Sequence, residues 1–357
     1  MYGICIFNQE SDSMIKAGII GCGSIARHRH VPEYAANPNT EIAGYCDWNR
    51  DRAQELAAKY GGRVYETVDE LLADPSIDVV SVCVANTQHA EVTIKALNAG
   101  KHVLCEKPMA VSVEECEAMV KAADENHRTL MIGQNQRLTH GHQKARQLIR
   151  EGAIGRVLTF RTTFGHEGPE NWSIMKNNTW FFDRKQSAMG AVADLGVHKT
   201  DLIQYILDDY VEEVKSVVAT LDKKDPDGNP ISVDDNAISI YRMRSGAIGT
   251  MTASWTYYGA AEDNNTVIYG TEGVLHIYDH PDYTLYIQKR NGERIYYEMD
   301  KLITNELQFS SGVIDEFVSA ILEGRESCIS GRDVMIAMKA VFASVQSSET
   351  GETVRIS

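Results

Sequence analysis

The 357 residues contain no Cys-x-x-Cys pair, and the seven cysteines, Cys5, Cys22, Cys46, Cys83, Cys105, Cys116 and Cys328, show no paired spacing. No segment that reads as a helix carries a His-x-x-x-His pair, so zinc has no obvious ligand set and no metal is expected. The His140-Gly-His142 pair reads as solvated loop histidines. Several cysteines sit in apolar runs, where cysteine behaves as a small buried hydrophobe. A reducing cytoplasm fits this usage best. No apolar run approaches the ~20 residues that cross a bilayer. Positive charge is also short: 35 Lys+Arg stand against 50 Asp+Glu, a net charge of −15. That balance argues against nucleic acid and anionic membranes as partners. Residues 1–13 lack a basic start and a cleavage-site pattern, so they read as an N-terminal extension outside the fold, not as a signal peptide. What is present is ordinary for a soluble globular chain, 43% hydrophobic and 24% charged, and the length allows two domains.

The stretch Ala17-Gly18-Ile19-Ile20 reads as a buried strand running into Gly21-Cys22-Gly23-Ser24-Ile25-Ala26. Residues 27–36 then have helical character up to Asn37-Pro38. In such a strand, glycine turn and helix, the first glycine permits the tight turn and the second lets backbone approach a pyrophosphate. The small third residue lets helix and strand pack closely. Gly21, Gly23, Ser24 and Ile25 are therefore candidate cofactor contacts, with the helix N-terminus facing the phosphates. A glycine turn can also be purely architectural; the context decides. A second apolar run, Glu41 to Cys46, ends in Asp47, about 20 residues beyond the fingerprint, where a carboxylate can accept from both adenosine ribose hydroxyls. A carboxylate there repels a 2'-phosphate, so NAD is favoured over NADP, although Arg50 and Arg52 keep the second cofactor in play.

Strand and helix signals then alternate. Thr67 to Glu70 and Ser112 to Glu115 have capping-box spacing, and Ile77 to Val84 is a nearly continuous apolar run, as a strand covered on both faces should be. Such alternation means a doubly wound parallel sheet. Asn86, Thr87 and His89 leave that strand at its carboxyl end, where they could reach a cofactor; alternatively Thr87 caps the next helix and His89 packs in its first turn. The strand Lys101 to Cys105 delivers Glu106-Lys107-Pro108. Burial beside a cationic oxidised ring disfavours the charged form of an ammonium, which would suit a lysine there to general-base work. Taken alone, Glu106 and Lys107 could equally be a surface ion pair.

The fingerprint, Asp47, Asn86-Thr87-Gln88-His89 and Glu106-Lys107-Pro108, in this order and at these intervals, resemble the glucose-fructose oxidoreductase / inositol dehydrogenase / rhizopine-catabolism family from about Ile15 to the C-terminus. The resemblance implies that Lys107 contacts both nicotinamide and substrate, that its bond to Pro108 is often cis, and that Glu106 lies near the cofactor. It also places Asn135 and Arg137 at the cleft, though as boundary residues they could instead bond to backbone. The organisation expected is α/β: residues 14–137 form a Rossmann-type parallel sheet, and 138–357 form an α+β domain with a large open, mostly antiparallel sheet.

In the second domain, 166–185 is a long polar and aromatic loop, and loops of this length are commonly functional. Trp172, Trp180, Phe181 and Phe182 form either a sugar-stacking wall or an anchor burying the loop; Trp180 is the candidate substrate contact. Asp194 and His198 are i,i+4 on a helix, with Asp201 three further on. Read bare, they form a polar stripe pointing away from the core. The family, by resemblance, has a glycine-rich lead-in and then Asp-x-Gly-x-His-x-x-Asp; here Met189 and Ala191 depart from that lead-in. Ser245-Gly246 and Asn291-Gly292 mark hairpins, and helices over 306–323 and 332–348 end the chain. Family members usually oligomerise through the outer sheet face, so a homodimer or homotetramer is expected.

The function these residues suggest is NAD-dependent hydride transfer on a secondary alcohol carbon of a sugar, cyclitol or glycoside. Lys107, Asp194 and His198 would be the catalytic set, with Asp194 orienting the His198 ring or contacting substrate, and either Lys107 or His198 as base. An NAD-recycling glycosidase and a non-catalytic cofactor-binding sensor are the other readings.

Overall fold

The computed structural model describes residues 14–259, 262–299 and 310–356; the 1–13 extension and the expected helix start at Glu306 lie outside them. Six strands, β1 (Ile15–Ile20), β2 (Thr40–Cys46), β3 (Arg63–Val64), β4 (Val79–Val82), β5 (His102–Cys105) and β6 (Leu130–Ile132), form one sheet. They pair in parallel in the order β3-β2-β1-β4-β5-β6. β4 is apolar but for one serine and buried throughout, as a strand covered on both faces must be. The strand order reverses between β1 and β4, and ligands of open parallel sheets bind in the crevice outside the strand ends at that point.

The connecting helices are α1 (Val31–Ala36), α2 (Arg50–Tyr60), α3 (Val68–Ala73), α4 (His89–Asn98) and α5 (Val113–Asn126). Both capping boxes form: Thr67 Oγ1 accepts from Glu70 N–H at 3.1 Å, and Ser112 Oγ accepts from Glu115 N–H at 3.2 Å. The helix expected over 27–36 begins differently, because residues Ala26–His30 make a π-helical turn before α1. Such turns occur often at functional sites.

α6 (His140–Arg150) leads into the second half. There α7 (Arg184–Ser187) and α8 (Val197–Leu207) precede most of a nine-stranded sheet. Its strands are β7 (Val157–Gly165), β8 (Val211–Ala219), β9 (Asn236–Met243), β10 (Ile248–Ser254), β11 (Thr266–Gly270), β12 (Gly273–Ile277), β13 (Leu285–Lys289), β14 (Arg294–Tyr297) and β15 (Val354–Arg355). The order is β14-β13-β12-β11-β7-β10-β9-β8-β15. Among the described residues only β7 and β10 of this sheet pair in parallel. Both hairpins fall where Ser245-Gly246 and Asn291-Gly292 predict them.

α8 and α10 (Gly331–Thr350) cover the inner face of this sheet, but α9 (Val313–Glu323) does not. Its apolar stripe, Val313, Ile314, Phe317 and Val318, packs into one cluster with Ile15, Ala17, Tyr34 and Val79 of the first sheet and α1. The chain end thus ties the two sheets together. The polar stripe of α8 also differs from expectation: every residue from Val197 to Gln204 is buried. His142 is likewise buried, not solvated, because Thr139 caps α6 and draws the ring inward, with Nδ1 2.8 Å from the Gln136 carbonyl. Cys22, Cys46, Cys83, Cys105 and Cys116 are free and buried.

Candidate active site

At the end of β1 the chain turns at Gly21, which has φ +90° and whose added Cβ would collide with the Cys83 carbonyl. Only glycine takes this position without strain. Gly23 differs, since a Cβ there would meet nothing within 4 Å. The backbone of the turn is therefore open to a ligand. Ser24 and Ile25 beside it are half-buried, and Ala26 is fully buried as the small packing residue. Asp47, at the end of β2, accepts from Cys22 N–H at 2.6 Å and from Asn49 N–H at 2.7 Å, which fixes its carboxylate against the glycine turn. Arg50 pairs with Glu66, and the Arg52 guanidinium lies 5.4 Å from the exposed ring of Trp48.

The β4 exit loop is tied across to the second half of the chain. Asn86 donates to the Ser187 carbonyl at 3.0 Å and Thr87 to the Lys185 carbonyl at 3.2 Å, so Thr87 does not cap α4. His89 is buried, with Nδ1 2.7 Å from the Pro108 carbonyl and Nε2 3.1 Å from the Val84 carbonyl. Its ring therefore braces the Lys107-Pro108 segment and presents no free nitrogen to a cofactor. Of the two readings of His89, the contacts favour packing in the first turn of α4 over direct contact with a cofactor. Burial lowers its pKa.

Glu106 is buried, and its Oε1 lies 2.8 Å from His30 Nε2. Burial alone would raise its carboxyl, but the His30 hydrogen bond and the charges of His30, Arg29 and Lys107 hold it down at about 2. An ionised carboxylate only accepts, so His30 Nε2 donates. His30 Nδ1 is 2.9 Å from Ser81 Oγ, which is 3.1 Å from the Tyr34 hydroxyl. The other Glu106 oxygen accepts from Lys107 N–H at 3.1 Å. The Lys107-Pro108 bond is cis.

Lys107 Nζ crosses the cleft and donates to Asp194 Oδ1 at 2.7 Å and to the Asp194 carbonyl at 3.1 Å. Trp255 Nε1–H donates to Asp194 Oδ2 at 3.0 Å. Burial would raise this carboxyl, yet Lys107, His166 and the Trp255 bond outweigh it and leave it below the usual range. Asp194 lies in a second π-helical turn, Val192–Gly196, ahead of α8. The wider turn breaks the i,i+4 register, and the carboxylate faces Lys107 and Trp255, so of its two expected roles the contacts do not include orienting the His198 ring and leave substrate contact. His198 is buried, and its Nδ1 lacks a partner among the described residues. Burial first, then the charges of Lys107, Arg29 and Lys199, push its pKa well below the usual 6.5, so the ring is neutral. Asn135 is buried at the β6 exit. Arg137 holds Asp201 through two bonds of 2.7 and 2.5 Å and donates to the Cys328 carbonyl, so Arg137 is a bracing residue.

The 166–185 loop folds as three single 3-10 turns. Trp180 stacks on Phe181 at 4.0 Å, Trp172 meets Phe181 edge-on at 5.0 Å, and Phe181 and Phe182 pack near Trp255. Phe182 anchors the loop, while Trp180 stays half-buried. The aromatic cluster thus reaches Asp194 through the Trp255 indole.

Residues 15–134 match the oxidoreductase family with an NAD-binding Rossmann fold, and residues 142–276 match the GFO/IDH/MocA C-terminal domain. The chain belongs to the GFO/IDH/MocA family. Levoglucosan dehydrogenase of Pseudarthrobacter phenanthrenivorans is 31% identical over 290 residues, 73% of each chain. The 1,5-anhydro-D-fructose reductase of Ensifer adhaerens is 27% identical over 96% of this chain and 99% of the relative. Among solved structures, levoglucosan dehydrogenase in complex with NADH and levoglucosan superposes with a TM-score of 0.85 at 26% identity, covering 96% of this chain and all (100%) of that one. The cofactor is NAD: the first domain matches an NAD-binding Rossmann fold, and structural neighbours are in complex with NADH. The open backbone at Gly23 and the Asp47 carboxylate fit a dinucleotide without a 2'-phosphate.

Four features of the site escape sequence reasoning. His30 ends the basic run Arg27-His28-Arg29-His30 and Trp255 stands between Ser254 and Thr256, where nothing local marks either ring as part of a site. His166 begins the aromatic loop, and a histidine leaving a strand end was the available sign. Lys199, next to His198, is fully buried with Nζ lacking a partner among the described residues, and burial brings its pKa from 10.5 to about 7.

Proposed function

We propose that this enzyme moves hydride between nicotinamide C4 and a secondary alcohol carbon of a sugar, cyclitol or glycoside. Residues 14–137 hold the cofactor: Gly21, Gly23, Ser24 and Ile25 under the pyrophosphate, Asp47 at the adenosine ribose, and Asn86, Thr87, Glu106 and Lys107 toward the nicotinamide. Residues 138–357 shape the substrate side with Trp180, Asp194 and His198, and Asn135 closes the cleft from the domain boundary. NAD, when bound, supplies the acceptor for the hydride that leaves the alcohol carbon as its C–O bond becomes a carbonyl. The hydroxyl proton goes to the neutral ring of His198. Lys107 Nζ, held by Asp194, fixes the alcohol oxygen. The observation that carries this reading is the 2.7 Å Lys107–Asp194 contact across the cleft beside the neutral His198. Relatives bearing the names levoglucosan dehydrogenase, 1,5-anhydro-D-fructose reductase and myo-inositol 2-dehydrogenase support the substrate class.

NADH formation with NAD and a panel of inositols, aldoses and glycosides tests it. Turnover is expected on one class, and His198→Ala should lower it by on the order of a hundredfold or more. A near-normal His198→Ala would remove His198 as base. Bound cofactor that is not consumed while a glycoside is cleaved would establish the NAD-recycling glycosidase instead; NAD bound with no turnover would establish the sensor.

The outer face of the second sheet we read as the contact with a further copy, giving a homodimer or homotetramer. Val217 and Ile238 lie directly opposite each other on β8 and β9, at 67% and 55% exposure, with Ile240 and Ile248 beside them. A reducing cytoplasm is the proposed location, supported by the free buried thiols; among the described residues no helix is long and apolar enough to cross a membrane.

A further inference from the structure

His166 follows the last residue of β7, and its main-chain N–H donates to the Ser254 carbonyl at 3.0 Å, so the strand pairing fixes where its side chain starts. The ring itself is fixed by its own loop. His166 Nδ1 accepts from Gly168 N–H at 2.9 Å. A nitrogen that accepts carries no proton, so in the neutral ring the proton is on Nε2. Burial keeps the ring neutral by lowering its pKa, although Asp194 and Glu262 oppose this and Lys107 adds to it. Phe164 packs edge-on to His166 at 5.9 Å and lies 6.0 Å from His198, which closes the apolar side of both rings.

The Nε2–H so fixed faces Asp194 Oδ2 across 4.0 Å. That is too long for a hydrogen bond, and it is short enough for one oxygen to touch both atoms. Oδ2 already accepts from Trp255 and retains a second lone pair; Oδ1 is taken by Lys107. The reacting hydroxyl belongs with Lys107 and His198, so the gap between His166 and Oδ2 serves a neighbouring oxygen on the same ligand. A hydroxyl there accepts from His166 Nε2–H and donates to Asp194 Oδ2, which satisfies both its roles at once.

Building on the oxidoreductase reading above, we propose that His166 Nε2 and Asp194 Oδ2 form a subsite for a second substrate hydroxyl, on the carbon next to the one oxidised. His166 is a substrate-binding residue in this scheme and takes no proton from the reaction.

The test uses the full chain with NAD and three probes, myo-inositol, levoglucosan and methyl β-D-glucopyranoside. For each probe the wild type oxidises, His166→Leu should raise KM about tenfold, the worth of one hydrogen bond to a substrate hydroxyl, with a smaller change in kcat and an unchanged KM for NAD. His166→Gln, whose amide can donate from a similar position, should recover most of that loss. A second measurement reads the ring directly: nitrogen NMR of histidine-labelled enzyme should show His166 with a bare Nδ1 and a protonated Nε2. An unchanged KM in His166→Leu, a loss shared equally by the KM for NAD, no recovery in His166→Gln, or a protonated Nδ1 each overturns the subsite and leaves the oxidoreductase reading standing. A wild type that binds NAD and oxidises no member of the wider panel of inositols, aldoses and glycosides overturns that reading, and the subsite with it.

Discussion

His198 and Lys199 are consecutive on α8, both buried, and each has a nitrogen without a partner among the described residues, yet they do different things. Burial and neighbouring cations keep His198 neutral. The acid limb of kcat/KM on a polyol should therefore fall below the usual histidine range of about 6.5. A profile with its limb at or above that value would mean that another group titrates. Lys199 has no task in the proposed chemistry, and its burial is a cost. Its folded-state pKa of about 7 lies below the ordinary 10.5. Between these values the unfolded chain binds a proton that the folded chain does not, so the contribution of this group makes stability rise with pH across that window. Below it, the penalty is present in full. Lys199→Met, which keeps the apolar stem, should stabilise the protein by on the order of a few kcal/mol near neutral pH and by progressively less as pH approaches about 10. Chemical denaturation at several pH values checks this, and a Lys199→Met enzyme less stable than wild type at neutral pH would mean that the ammonium is satisfied.

The glycine turn between β1 and the first helix separates architecture from function within three residues. Gly21 is required by the backbone: φ is +90° and a Cβ would strike the Cys83 carbonyl. Gly23 has neither constraint. Gly21→Ala should lose on the order of 1–3 kcal/mol of stability, whereas Gly23→Ala should stay within roughly half a kcal/mol of wild type and bind NADH more weakly. Thermal unfolding and NADH fluorescence titration distinguish the two. Elements of this kind were legible in the sequence because their signal is local: the glycine turn, the two capping boxes, the hairpins at Ser245-Gly246 and Asn291-Gly292, and the apolar run of β4 each state their conformation within a few residues. Contacts made across the chain were not. Asp194 reads as a partner of His198 only if the helix is an α-helix, and a π-helical turn gives no sequence sign; the same holds for the turn that carries His30 to Glu106. The stripe of α8 looks solvated because charged residues normally are, and nothing local reveals that α6, α10 and the second sheet enclose it. α9 shows an apolar face, but which sheet that face meets is settled by the return of the chain to the first one.

At the scale of the whole molecule, two surface properties act against each other. A net charge of −15 makes copies of the chain repel at long range. The outer face of the second sheet presents Val217, Ile238, Ile240 and Ile248 on three adjacent strands, at 67%, 55%, 54% and 44% exposure. On β9 the alternation runs outward at Ile238, Ile240 and Arg242 and inward at Ala237, Ser239 and Tyr241, so two of the three exposed residues are apolar where a solvated sheet face would be polar. Contiguous apolar surface of this kind marks an interaction site. Because the repulsion is screened over about 8 Å at physiological ionic strength while apolar contact is not, association through this face should tighten as salt is raised. An interface made of ion pairs would loosen. Light scattering across a salt series should therefore show a growing multimer fraction in the wild type. The pair Ile238→Lys and Ile240→Lys together should give a one-chain mass at every salt concentration while leaving NADH binding intact, since neither residue borders the cleft. A wild type that is a monomer throughout, or a double variant that still assembles, would move the apolar face from self-association to another role.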